Sequence, residues 1–234
     1  MERYKSVLLY SGGVDSFVAY HYLGMPKCVY FDLNSKYSQR EINFIHDQEP
    51  ARDSRLKIDT SLSFLGALEE GENAYIPFRN LYLAMTAVAK YSDKVYIAGV
   101  KDDKVSDQGR GVHEIWSAHL SQLEGRTIEV SSPFYDMTKA DVVQWYVKGF
   151  NKLSLLNTVS CFAEGNATAI YCGNCNACFR KAVALFSVGL KLPFYNKTII
   201  DHYSKSIGTG HYDKQREENM EKYINWVQPN DVRN

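Results

Sequence analysis

The segment Ser6 to Leu23 reads SVLLY-SGGVDS-FVAYHYL, a short apolar run, a glycine-bearing turn and a helix-like stretch that stops at Gly24-Met25-Pro26. The apolar run predicts a buried strand over Ser6 to Tyr10, and the periodic stretch predicts a helix over Ser16 to Leu23. Gly12 and Gly13 let the backbone approach an anion closely and take dihedrals that a side chain forbids. Ser11, Ser16 and successive N–H groups can bind anionic oxygens, and the following helix points its positive end at them. No Lys-Ser/Thr pair follows the glycines and no G-x-G-x-x-G spacing is present, which excludes a Walker A loop and a dinucleotide fingerprint. The expectation is a nucleotide-phosphate site made of Tyr10, Ser11, Gly12, Gly13, Val14, Asp15 and Ser16. The competing structural reading is a tight left-handed turn between strand and helix. Asp15 has two readings of equal weight, a Mg²⁺ or loop-fixing carboxylate and a simple N-terminal helix acid.

Outward from this segment, strands and helices alternate. Strands are expected at Cys28 to Leu33, Leu56 to Thr60, Lys94 to Val100 and Thr127 to Ser131. Helices are expected at Arg40 to Gln48, Arg79 to Tyr91, His113 to Leu123 and Thr138 to Phe150, the last capped by Asp136 or Thr138. Such alternation predicts a five-stranded, parallel, doubly wound α/β sheet. Ligands of such sheets bind beyond the carboxyl ends of the strands, where residues 11–16, 34–41 and 101–111 fall. After Phe150 the alternation stops. A cysteine-rich stretch from Ser160 to Arg180 leads into a helix ending near Val188, the tail from Tyr195 is mixed, and Lys214 to Trp226 reads as a charged surface helix. The expected division is an α/β domain over 1–150 and a helical, metal-bound appendage over 151–234.

The chain has 234 residues, 45% hydrophobic and 23% charged, which suits a folded globular protein rather than a disordered one. Its formal net charge is zero, which argues against a nucleic-acid partner, since such proteins usually carry a basic face. No stretch approaches the roughly 20 apolar residues of a membrane span, and Met1 to Lys5 has no signal-like character. A soluble, cytoplasmic protein is expected.

Four of the five cysteines fall within a short stretch: Cys161, then Cys172-Gly-Asn-Cys175-Asn-Ala-Cys178. In a reducing compartment that clustering reads as metal ligation before disulfides. Four thiolates suit a closed, structural, tetrahedral Zn²⁺ site, with an iron–sulfur cluster as the alternative. Cys28 lies inside an expected strand and reads as a small core residue.

With both motifs in hand, the chain resembles the 7-cyano-7-deazaguanine synthase family of PP-loop (HUP-like) ATP pyrophosphatases. The resemblance runs from about Lys5 to Ala184. It rests on SGGVDS, on Lys36-Tyr37-Ser38-Gln39-Arg40 against the family's Tyr-Gly-Gln-Arg, and on Ile76-Pro77-Phe78-Arg79-Asn80. It also rests on Ser132-Pro133-Phe134-Tyr135-Asp136-Met137-Thr138-Lys139-Ala140 and on Ser160-Cys161 followed by CGNCNACFR. What the resemblance implies is a homodimeric ligase that turns 7-carboxy-7-deazaguanine and ammonia into 7-cyano-7-deazaguanine, consuming ATP with Mg²⁺ at each of two steps. It further implies catalytic roles for Asp15, Arg79 and Lys139, and substrate contacts from Tyr37, Gln39, Arg40, Asn80, Asp107 and Arg110. Surface ion pairing is the alternative for Arg40, Arg79 and Lys139. The stretch Val100 to Arg110 departs from the family's Tyr-Pro-Asp-Cys-Arg segment, which leaves the substrate and a stop at the amide open. A tRNA-acting PP-loop enzyme and a non-catalytic nucleotide sensor are the competing functions.

Overall fold

The computed structural model describes residues 3–71, 74–103, 107–162 and 170–230. Strands β1 (Val7–Leu9), β2 (Lys27–Phe31), β3 (Leu56–Asp59), β4 (Lys94–Ile97) and β5 (Glu129–Ser131) form one sheet in the order β3-β2-β1-β4-β5. Every pairing is parallel, so all carboxyl ends share one edge. This is the doubly wound sheet expected from the alternation of elements.

Both faces of the sheet are covered, which explains why the strands read as nearly continuous apolar runs. Leu8, Tyr10, Cys28 and Tyr30 face one core with helices α1 (Val14–Tyr22) and α6 (Lys139–Gly149). Val7, Leu9, Val29, Phe31, Val95 and Ile97 alternate to the other face, under α4 (Arg79–Lys90) and α5 (Arg110–Glu124). The chain winds outward from β1 to β2 and β3, then returns past β1 to β4 and β5. The loop after β1 therefore opens at the switch in winding direction, the standard ligand crevice of such sheets.

Several boundaries differ from expectation. The helix expected over Arg40 to Gln48 ends early: α2 is Ser38–Ile45, and α3 (Glu49–Arg52) follows with Gln48 as its N-cap. Pro50 in the first turn of α3 favours that restart. Helix α5 begins at Arg110, so this residue is helical rather than part of a loop. Helix α6 is opened by Thr138, whose side chain accepts from Asp141 N–H while the Asp141 carboxylate accepts from Thr138 N–H.

The C-terminal part is α7 (Asn176–Phe186), α8 (Lys197–Ser206) and α9 (Lys214–Asn230). Helix α8 falls in the tail that read as mixed. Its N-cap Asn196 accepts from Ile199 N–H at 3.1 Å. Helix α9 is more than a surface helix, because Met220, Tyr223, Ile224 and Val227 are buried against α7 and α8. Leu155, Val159, Ala184 and Leu185 join the core under α1 and α6. No helix among the described residues is long and apolar enough to cross a membrane.

Candidate active site and metal centre

The turn after β1 is held from behind. Gly12 has φ +75°, and a side chain there would meet Ile45 Cγ2 at 2.4 Å. Gly12 C=O accepts from Val159 N–H at 2.8 Å and from Gln48 Nε2 at 3.1 Å. Gln48 Nε2 also donates to Asn157 C=O at 2.9 Å, and the Tyr10 hydroxyl donates to Gln48 Oε1. Gly13 is the N-cap of α1, with a φ of −73°. On the open side, Ser11 N–H donates to Ser16 Oγ at 3.2 Å, Ser16 Oγ donates to Gly13 C=O at 3.2 Å, and Gly13 N–H makes a long 3.4 Å contact to Ser11 Oγ. Two serine hydroxyls, backbone N–H groups and the N-terminus of α1 thus meet in one turn, an arrangement suited to an anion. Tyr10, Gly12, Val14 and Ser16 are buried and shape the loop from within, and Ser11 is the exposed member of the expected set.

Beside the loop sits a cluster of alternating charge. Asp15 pairs with Lys139, and Asp103 pairs with Arg180 of α7. Burial raises the Asp15 carboxyl, with the Lys139 ammonium opposing and Asp103 adding to the rise. Asp103 is buried too, yet Arg180 and Lys139 hold it below the usual carboxylate range. Asp15 Oδ1 is buried and makes no hydrogen bond. Asp102 Oδ1 accepts from Lys139 N–H at 3.0 Å, and Asp102 C=O accepts from Arg216 of α9 at 2.5 Å. Arg180, Asp103 and Arg216 were not singled out from the sequence. Arg180 was visible as the end of the CGNCNACFR string, whereas Arg216 carried no local signal.

At the carboxyl ends of β2 and β4 the structure joins three expected substrate residues and the expected catalytic Arg79 in two pairs. Tyr37 is buried and accepts from Arg79 Nη1 at 3.5 Å. Asn80, also buried, donates to Asp107 Oδ1 at 3.1 Å. Phe78, with φ +55°, turns the chain into α4 and sets the direction of Arg79 and Asn80. Glu41 accepts from the Tyr30 hydroxyl at 2.9 Å, and burial pushes its carboxyl up to about 7 against the pull of Tyr30 and Arg79. The other three residues go elsewhere. Gln39 is exposed and bonds Asn43, Arg110 lies on the Tyr135 ring and pairs with Asp136 at 2.8 Å, and Arg40 is buried with Nη1 3.0 Å from Cys161 Sγ. Of the altered 101–111 stretch, residues 104–106 lie outside the described residues.

Cys161, Cys172, Cys175 and Cys178 bring their sulfurs within 4.8 Å of one another, close enough to hold a metal ion. Cys172 Sγ and Cys178 Sγ stand 3.7 Å apart. Gly173, with φ +69°, makes the tight turn between the first two ligands of the CGNC knuckle. Arg40 lies against the Cys161 sulfur, and the buried Lys181, which donates to Thr158 C=O, is close enough to Cys178 and Cys161 to feel their charge. Two buried cations suit a tetrathiolate site, whose ligands outweigh a divalent ion by two negative charges.

Comparison with known proteins follows the same lines. The profile of the family described as "Queuosine biosynthesis protein QueC" matches residues 52–189, more than half of the chain. The 7-cyano-7-deazaguanine synthase of Chlorobaculum parvum is 27% identical over 225 residues, covering 81% of this chain and 95% of the relative. That of Archaeoglobus fulgidus is 29% identical over 218 residues, covering 81% and 89%. A solved structure, the U34-tRNA thiolase NcsA of Methanococcus maripaludis with its iron–sulfur cluster, covers 97% of this chain and 74% of its own at 12% identity and a TM-score of 0.38. At that level it carries no argument. With the family profile spanning the sheet's second half and the cysteine centre, the chain belongs to the QueC family.

Proposed function

We propose that this protein is an ATP-dependent ligase that converts 7-carboxy-7-deazaguanine and ammonia to 7-cyano-7-deazaguanine. The observation that carries the reading is the phosphate loop at the switch point, with Lys139 and Asp15 paired at its rim, in a chain of the QueC family. The relatives' activity as 7-cyano-7-deazaguanine synthases supports the substrate.

A carboxylate is a poor electrophile. Its oxygen attacks the α-phosphorus of ATP and pyrophosphate leaves. Ammonia then adds to the acyl carbon, AMP departs, and loss of a proton gives the amide. A second ATP adenylates the amide oxygen, and loss of AMP and the remaining N–H protons gives the nitrile. The reading assigns no covalent nucleophile, and the protein's work in it is positioning and charge stabilisation. The loop's N–H groups, Ser11 and Ser16 hold the pyrophosphate, and Lys139 and Arg79 neutralise developing charge. Asp15 has a free buried oxygen suited to Mg²⁺, which when bound screens the triphosphate. The Asn80–Asp107 pair suits the hydrogen-bond edge of the deazaguanine, and Tyr37 its face.

For the cysteine centre we propose one structural zinc ion. Tetrahedral Zn–S bonds of about 2.3 Å place ligand sulfurs about 3.8 Å apart, which matches the Cys172–Cys178 spacing of 3.7 Å. In the same reading the protein works as a cytoplasmic homodimer without a nucleic-acid partner, in keeping with its zero formal charge. A pyrophosphate-release assay with ATP tests the function. Release that depends on 7-carboxy-7-deazaguanine is expected, and tight ATP binding without release by any deazaguanine would sink the enzyme reading.

A further inference from the structure

Gln48 lies 36 residues from Gly12 and 109 from Asn157 in sequence, yet its amide joins both to Tyr10. The side chain is buried, and its amide orientation is fixed by chemistry. The carbonyls of Gly12 and Asn157 only accept, so the Nε2 end must face them, which leaves Oε1 for the Tyr10 hydroxyl. Both Nε2 hydrogens and the amide oxygen are therefore used. A fully satisfied buried amide of this kind is a rigid bracket.

What the bracket holds is one peptide plane. Gly12 C=O and Gly13 N–H belong to the same planar, trans unit and point in opposite directions. Gln48 Nε2 at 3.1 Å and Val159 N–H at 2.8 Å pull the Gly12 oxygen toward the 157–159 strap. The Gly13 N–H is thereby turned the other way, toward Ser11 Oγ on the exposed side of the turn. Its 3.4 Å contact to Ser11 is long for a hydrogen bond, so the donor stays available to an anion. A glycine pair without a bracket could rotate this plane cheaply, since both residues are conformationally permissive.

We propose that Gln48 is a positioning residue for the ATP site, fixing the Gly12–Gly13 peptide so that the Gly13 N–H is aimed at the departing pyrophosphate. It acts through the loop and does not touch ATP itself. The inference rests on the proposed reading of residues 11–16 as the ATP loop.

The test is ATP affinity in wild type, Gln48→Leu and Gln48→Glu, measured at two pH values. Gln48→Leu removes both donors and weakens ATP binding about tenfold at either pH. Gln48→Glu gives a carboxyl facing two carbonyls in a buried place, which raises its pKa. Ionised, it cannot donate and repels Gly12 and Asn157. Protonated, it regains one donor. The ratio of variant to wild-type Kd therefore falls from about tenfold near pH 8 to about threefold or less near pH 6. A merely space-filling Gln48 predicts no such pH-dependent recovery. In wild type, the Gly13 amide resonance moves on addition of inorganic pyrophosphate, a readout that holds even where Gln48→Leu fails to fold. A Gln48→Glu ratio that stays flat with pH, or a Gly13 amide indifferent to pyrophosphate, overturns the proposal. Loss of ATP binding in wild type would instead remove the loop reading, and this inference with it.

Discussion

Alanine at Gly12 and alanine at Gly13 should fail in different ways. At Gly12 the backbone has φ +75°, which costs an L-residue about 1–2 kcal/mol. The added Cβ would also meet Ile45 Cγ2 at 2.4 Å, and Ile45 is fully buried, so it cannot swing aside. Overpacking of that kind costs about 1–3 kcal/mol. The sum is about 2–5 kcal/mol, a large part of a typical domain's stability. For a chain of this size it lowers the melting temperature by about 4–20 °C. At Gly13 the φ of −73° is ordinary, and a Cβ would sit 3.3 Å from Val159 O and 3.4 Å from Ser11 Oγ and Ser160 Oγ. That is tight but not a clash, so Gly13→Ala stays within about 1 kcal/mol of wild type in stability. Its methyl group stands beside Ser11 Oγ and Ser160 Oγ, and under the proposed reading of the loop ATP affinity drops by about tenfold or more. Thermal unfolding and calorimetric ATP titration on both variants read the two effects separately. A Gly12→Ala protein that melts with wild type, or a Gly13→Ala protein that binds ATP normally, refutes the loop geometry.

Two further outcomes follow from the site. Metal analysis should find one zinc per chain. Stripping it, or making Cys172→Ser, should lower the unfolding free energy by about 4 kcal/mol when free zinc exceeds its Kd about a thousandfold. A fully folded protein with less than one zinc per chain refutes the structural zinc. Glu41 supplies a pH signature in the ligand-free protein. Its carboxyl ionises near 4.5 when unfolded and about 7 when folded, so the folded chain holds the extra proton between those values. The sign is that stability is lost as pH rises through that window, on the order of 1–3 kcal/mol. Urea midpoints of wild type and Glu41→Gln at about pH 5 and about pH 8 should diverge, the variant losing less. Parallel changes would contradict the burial of that carboxyl.

The sheet and the loop were legible because their signals are local. SVLLY-SGGVDS carries strand, turn and helix in consecutive residues, and the CGNC knuckle places its ligands by spacing alone. What escaped depends on contacts distant in sequence. Gln48 looked like the end of a helix, and only the break before α3 turns its amide toward Gly12. Arg40 matched a substrate motif, yet its guanidinium reaches Cys161, 121 residues away. Arg216 looked like one charge among many on α9, but it anchors the Asp102 turn that caps α6. The buried stripe Met220, Tyr223, Ile224 and Val227 was readable in principle, because its spacing follows one helical face. The surrounding charges masked it.

The most direct test of the account is mass spectrometry of the products formed from 7-carboxy-7-deazaguanine, ATP with Mg²⁺, and ammonium. The account predicts 7-cyano-7-deazaguanine, with two AMP and two pyrophosphate released for each nitrile formed. Accumulation of the amide alone would end the nitrile assignment, and no deazaguanine-dependent AMP at all would contradict the proposed ligase.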